Sequence, residues 1–144
     1  MESKNRVKEL RNVKASQLLP HPKNWRMHPE AQKSALRGLI DQVGYADALV
    51  ARETDEGLVL MDGHLRAETT PDMEVPVLIV DVTEEEADLI LATHDPLGAM
   101  AEHNQDRLSE LLESISPGND EVSRLLESIA AGYEPLTLID IEPK

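Results

Sequence analysis

The chain contains no cysteine and no phenylalanine, and Trp25, Tyr45 and Tyr133 are its only aromatic residues among 144. Without a thiol there is no disulfide, no thiolate nucleophile and no zinc–thiolate site, and an intracellular setting is favoured. Without phenylalanine the core has to be built from Leu, Ile, Val, Ala and Met, in a chain long enough to bury one substantial domain interior. Long apolar runs are missing as well. None approaches the roughly 18–20 residues that span a bilayer. No apolar segment follows the partly basic start Met1–Arg6 as a secretory signal would require. These absences predict a cytoplasmic protein with no membrane partner.

Basic residues are scarce beyond position 40. The net charge is −14, yet residues 1–40 hold nine of the 14 Lys and Arg against Glu2, Glu9 and Glu30, a local balance of +6. Residues 41–144 carry five basic and 25 acidic side chains, or −20. An acidic body repels a polyanion, so contact with DNA is left to the basic N-terminal third or to a partner protein. The plainer alternative is that the asymmetry serves solubility and local salt bridges.

Residues 1–12 read as a polar N-terminal arm. Val13–Leu19 is expected as a short edge strand halted by Pro20, since proline cannot extend a ladder. The stretch from His21 to Arg26 reads as a loop. A helix is expected from the His28-Pro29-Glu30 region, with Ala35, Leu36, Leu39, Ile40 and Val43 at helical spacing and Gly44 as its stop. Ala48–Ala51 and Leu58–Met61 read as strands around the turn-rich Glu53–Gly57. A short helix runs to about Thr70 ahead of Pro71. Val75–Val80 is the strongest strand and reads as buried on both faces. Thr83-Glu84-Glu85-Glu86 is a capping box, and its helix is expected to end near His94-Asp95-Pro96. Two amphipathic helices follow. One carries Leu108, Leu111, Leu112 and Ile115; the other carries Val122, Leu125, Leu126 and Ile129, with Gly132 after it. Their apolar stripes predict a homodimer through the C-terminal helices. The tail Pro135–Ile141 reads as an extended arm or a partner-binding strand.

The chemistry gathers at Asp62-Gly63-His64-Leu65-Arg66, directly behind the Leu58–Met61 run. A strand that stops at a glycine and turns into a helix leaves backbone N–H groups without internal partners. An imidazole and a guanidinium beside them suit an anion, above all a phosphate. Gly63 permits close approach of a ligand, and Arg66 offers a bidentate fork. His64 donates one hydrogen bond when neutral and two when charged, so phosphate affinity through it is expected to rise as pH falls. Asp62 either holds a hydrated divalent metal or orients His64 or Arg66. Against this stands the structural alternative in which Asp62 caps the helix, Gly63 makes the turn and His64 lies on the surface. Taken alone, Asn24 is a turn residue, Arg26 a solvated cation, and Trp25 a base-stacking platform or a staple. His94-Asp95 and His103 offer a metal site together with Asp62; the plainer reading makes these histidines, at expected helix ends, partners of the helix dipole.

The order of these elements resembles the N-terminal domain of the ParB/sulfiredoxin-like superfamily. The resemblance runs from the Leu18–Arg26 box through Gly44, Leu49-Val50, Asp62–Arg66, Val75-Pro76-Val77 and Thr83–Ala87. It implies an α/β (α+β) fold: a small mixed sheet with flanking helices over residues 13–96, followed by a helical C-terminal extension, residues 97–144. The chain is similar to the stand-alone ParB-like domains of phages and mobile elements. A sulfiredoxin would place a nucleophilic cysteine beside the histidine, so that chemistry is excluded here. Partition-type ParB proteins hold CTP phosphates with an arginine-rich corner, where this chain has His64 and Arg66. Their Glu-Asn/Gln-Arg box falls near His94-Asp95-Pro96-Leu97, and its arginine is gone. The resemblance implies that Asn24, Arg26, Gly63, His64 and Arg66 surround a nucleoside triphosphate, CTP or ATP, with Mg2+. Such a module would switch association with DNA or a partner. One alternative is a metal-dependent ParB-like DNA nuclease, with His64 as general acid or base and Asp62 helping to hold the metal. Another is a non-catalytic adaptor acting through its acidic helices.

Overall fold

The structure, a computed structural model, describes residues 4–132. In chain order it contains β1 (Val7–Lys14), a 3-10 turn (Ala15–Gln17), α1 (Glu30–Val43), β2 (Leu49–Thr54), β3 (Gly57–Asp62), α2 (His64–Thr69), β4 (Glu74–Val80), α3 (Glu84–Ala99), α4 (Gln105–Glu113) and α5 (Asp120–Ala130). The tail Pro135–Ile141 lies outside the described residues. No helix among the described residues is long and apolar enough to cross a membrane.

The chain forms two compact units. One comprises the described residues up to Trp25 together with Tyr45–His94; the other comprises Arg26–Gly44 together with the residues from Asp95 onward. The first unit is the mixed α/β body, a four-stranded sheet in the order β1-β4-β2-β3. β1 runs antiparallel to β4, β4 parallel to β2, and β2 antiparallel to β3.

Four expectations shift. β1 begins at Val7 rather than Val13, so residues expected in a polar arm pair with β4 from Val7↔Val80 to Lys14↔Glu74. As an edge strand with a solvent side it tolerates Lys8, Glu9 and Arg11, which hid its apolar pattern. The residues expected to finish that strand turn away, and Leu19 makes a single parallel bridge to Val59. β4 is not buried on both faces: Val75, Val77 and Ile79 are sealed in the core, whereas Pro76, Leu78 and Val80 are only half-buried. Finally, α3 does not stop before Pro96. The proline falls in the last helical turn, where its missing N–H forfeits one bond, and Met100 N–H still reaches the Pro96 carbonyl at 3.1 Å.

The core of the first unit is aliphatic, built by Ala15, Leu18, Leu49, Ala51, Leu60, Val75, Val77 and Ile79, with Tyr45 packed against it. In the second unit α1 lies against α5. Gly38 is required there, because a Cβ would come within 2.6 Å of Glu121 Cβ. Asn119 links the two helices: its Oδ1 caps Val122 N–H at 2.9 Å while its Nδ2 donates to the Gly38 carbonyl at 2.8 Å.

The capping box that opens α3 also anchors the start of β1. Thr83 Oγ1 accepts from Glu86 N–H at 3.1 Å, and Glu86 Oε1 accepts from Thr83 N–H at 2.9 Å. Arg6 places both guanidinium arms on the same carboxylate at 3.0 and 2.8 Å. The Arg6 hydrogen bonds, with that of Thr83 second, hold the Glu86 carboxyl down to about 2. A depressed carboxyl stabilises the fold above its ordinary pKa of about 4.3 and loses that contribution as pH falls towards its folded value. A side-chain NMR titration is therefore expected to give Glu86 a midpoint near 2. Arg6→Ala should raise it towards the ordinary glutamate range.

Candidate functional site

Gly63 ends β3 and forms the N-terminal cap of α2 with φ 100° and ψ 17°, a left-handed geometry that side chains with a Cβ rarely adopt. The space a Cβ would need is also taken, since it would meet Leu49 Cγ at 2.6 Å. The glycine thus lets the corner settle on a fully buried core leucine. No side chain caps α2. Asp62 does not cap; its Oδ2 instead faces His94 Nε2 on α3 at 3.4 Å. His94 is therefore an interior α3 residue with a carboxylate neighbour rather than a helix-end dipole partner.

Arg66 is two-thirds buried, and its Nη2 lies 3.2 Å from Asp47 Oδ2 in the segment before β2. Beside it Tyr45 packs on the core, and burial pushes the tyrosine hydroxyl pKa up. His64 is buried rather than on the surface, at 7 % exposure. Its Nε2 accepts the His21 backbone N–H at 3.1 Å, a donor 43 residues away in sequence.

The loop containing Asn24 is tied to this corner and to α3. Leu19 N–H donates to Leu58 O and Leu60 N–H to Leu19 O, both at 2.8 Å. His21 is 8 % exposed; its Nδ1 accepts Lys23 N–H at 3.0 Å, and its Nε2 lies 3.2 Å from Asp88 Oδ1. That last contact is a close approach rather than an aligned hydrogen bond. Lys23 Nζ reaches Asp88 Oδ2 at 2.6 Å, and this bond above all holds the Asp88 carboxyl below its ordinary range. Asn24 N–H donates to His21 O at 3.0 Å, and Trp25 Nε1 faces Leu91 O at 3.4 Å.

Asp62, Gly63, His64 and Arg66 thus share one corner, and Asn24 lies on the loop that His64 holds. Arg26 belongs to the second unit, where its Nε pairs with Asp95 Oδ2 at 2.9 Å. The basic N-terminal third is largely neutralised locally. Arg6, Lys8, Arg11, Lys23, Arg26 and Arg37 each lie within ion-pair distance of a carboxylate. Sequence reasoning passed over Asp47, Asp88 and the buried role of His21. The one available signal was the Pro20-His21-Pro22 frame, which strips backbone donors from both sides of the histidine.

The sheet order, the glycine corner and the flanking helices form a ParB-like fold. A solved structure that shares it is the C-terminally truncated chromosome-partitioning protein ParB from Caulobacter crescentus, complexed with CTP-gamma-S. The match has a TM-score of 0.60 at 17% sequence identity and covers 74% of this chain and 61% of that one. No family model matches the chain. Comparison with curated proteins finds no match.

Gly63→Ala combines a disfavoured φ with a 2.6 Å approach to a buried Leu49 atom. Overpacking and strain of this kind destabilise by about 1–3 kcal/mol. Urea unfolding should show a loss of at least that order, and an unchanged midpoint would contradict the packing described.

Proposed function

We propose that the chain is a ParB-like nucleotide-binding module of the phage or mobile-element kind. In this reading it binds a nucleoside triphosphate, with CTP the first candidate and ATP the second, and switches a cytoplasmic, DNA-associated process. The observation that carries the reading is the ParB-like fold shared with a protein crystallised with a CTP analogue. Arg66 supports it from the site itself. The guanidinium is partly exposed, with its Nη2 3.2 Å from the Asp47 carboxylate. An incoming phosphate can displace or share that contact, because bidentate charge-assisted bonds to phosphate outcompete a single ion pair. Gly63 and Asn24 stand on the same corner and its tethered loop.

Mg2+ fits a site of this kind. It takes oxygen ligands, keeps several waters and is satisfied by one carboxylate together with substrate phosphates. Asp62, partly exposed and with its Oδ2 3.4 Å from the His94 imidazole, supplies that carboxylate. The ion would neutralise phosphate charge when bound. Pairing of two copies through the C-terminal helices is supported by Leu111 and Ile115 of the α4 segment, which remain exposed. Nuclease chemistry is the less favoured reading, because it asks His64 to move a proton while its Nε2 lone pair holds the His21 amide. DNA contact is assigned to a partner protein, since most of the basic N-terminal residues already face carboxylates.

Calorimetric titration with CTP, ATP and GTP, each with and without Mg2+, tests the proposal. Binding of at least one is expected. Arg66→Ala should weaken it by roughly 10- to 100-fold, the loss of a charge-assisted contact worth about 1.5–3 kcal/mol. Absence of heat for all three, or wild-type affinity in Arg66→Ala, would overturn the reading.

A further inference from the structure

We propose that His64 is a positioning residue, a hydrogen-bond acceptor that latches the Asn24 loop to the glycine corner, and not a ligand of the bound anion. Few backbone donors are left in this loop, and each has an acceptor. Between Leu19 and Asn24 the loop contains Pro20 and Pro22, which have no N–H. Leu19 donates to Leu58 O and Asn24 donates to His21 O. The two remaining donors, His21 and Lys23, both end on imidazole nitrogens, His64 Nε2 at 3.1 Å and His21 Nδ1 at 3.0 Å. Each ring is more than nine-tenths buried, so water is a poor substitute for either acceptor.

A ring nitrogen that accepts a backbone N–H carries no proton of its own and cannot donate to a phosphate oxygen from that atom. His64 Nε2 is therefore committed to the loop. His21 continues the chain of contacts. Its backbone hangs on His64, its Nδ1 holds Lys23, and its Nε2 faces Asp88, whose other oxygen binds Lys23 Nζ. Asn24 follows immediately, and Trp25 faces the α3 carbonyl of Leu91. The result is a loop whose path is set by the acceptor on α2, two residues before Arg66. As a statement about nucleotide affinity, the inference rests on the nucleotide reading above; as a statement about the latch, it stands without any ligand.

The ligand-free protein supplies the direct test. In 15N-labelled wild-type chain, a through-hydrogen-bond coupling between the His21 amide nitrogen and His64 Nε2 is expected, and its absence would overturn the latch. His64→Leu removes the acceptor at similar size. Its His21 amide should exchange with solvent at least about tenfold faster, and Trp25 emission should shift. His64→Gln offers an oxygen acceptor in place of Nε2 and should restore both signals. An undisturbed His21 amide in His64→Leu, or a folded His64→Gln that fails to restore it, would refute the role. With CTP and Mg2+, His64→Leu should lose about tenfold in affinity and His64→Gln should recover that loss. Equal losses in both variants with the His21 amide unmoved would make His64 a ligand. No nucleotide binding at all would remove the nucleotide reading while leaving the coupling and exchange results to decide the latch.

Discussion

The close approach of Gly63 to Leu49 is the constraint on which the first unit depends. Leu49 is fully buried at the start of β2, where the parallel pairing to β4 begins at Val77. Its side chain fills the space that any residue other than glycine would take at position 63. The end of β3, the start of α2 and the register of the central strands are thereby set against one another. Asp62, His64 and Arg66 inherit their directions from that contact. A corner fixed by core packing places polar groups more accurately than one fixed by solvent-exposed bonds, because dense interiors resist small displacements.

Charge is organised around the same body by pairing rather than by a field. The chain is strongly acidic overall, yet its early basic residues are spent locally on carboxylates. Arg6 and Lys23 are the informative cases. Each reaches forward to α3, Arg6 to Glu86 and Lys23 to Asp88, so that two segments early in the chain grip one turn of a single later helix. Exposed pairs of this kind contribute little one by one.

Much of this was legible in the amino-acid order. Gly44 closes α1 at positive φ, and the reciprocal Thr83–Glu86 bonds appear as the capping box implied. β4 and the Asp62–Arg66 corner stand close to where periodicity and glycine placed them. The shortfalls have physical causes. β1 was hidden because an edge strand need not alternate cleanly when one side meets water. α3 ran past Pro96 because a proline in a final turn forfeits only one bond. The plainer reading placed His64 on the surface because its partner is a backbone N–H far away in sequence, and backbone donors leave no mark on a side-chain pattern. Asp47 and Asp88 were invisible for a related reason. Single carboxylates in an acidic chain carry no local signal until the fold brings a cation to them.

The aliphatic interior has a consequence for how this protein is observed. Among the residues that pack on the first unit's core, Tyr45 is the one aromatic ring. Ring currents disperse methyl resonances, and a core with a single ring leaves most of its leucine, valine and isoleucine methyls clustered at similar frequencies. Tyr45 lies beside Arg66 and Thr70 at α2, so methyls displaced from the cluster would report on the glycine corner first. The feature that makes the interior chemically plain makes its one irregular place spectroscopically distinct.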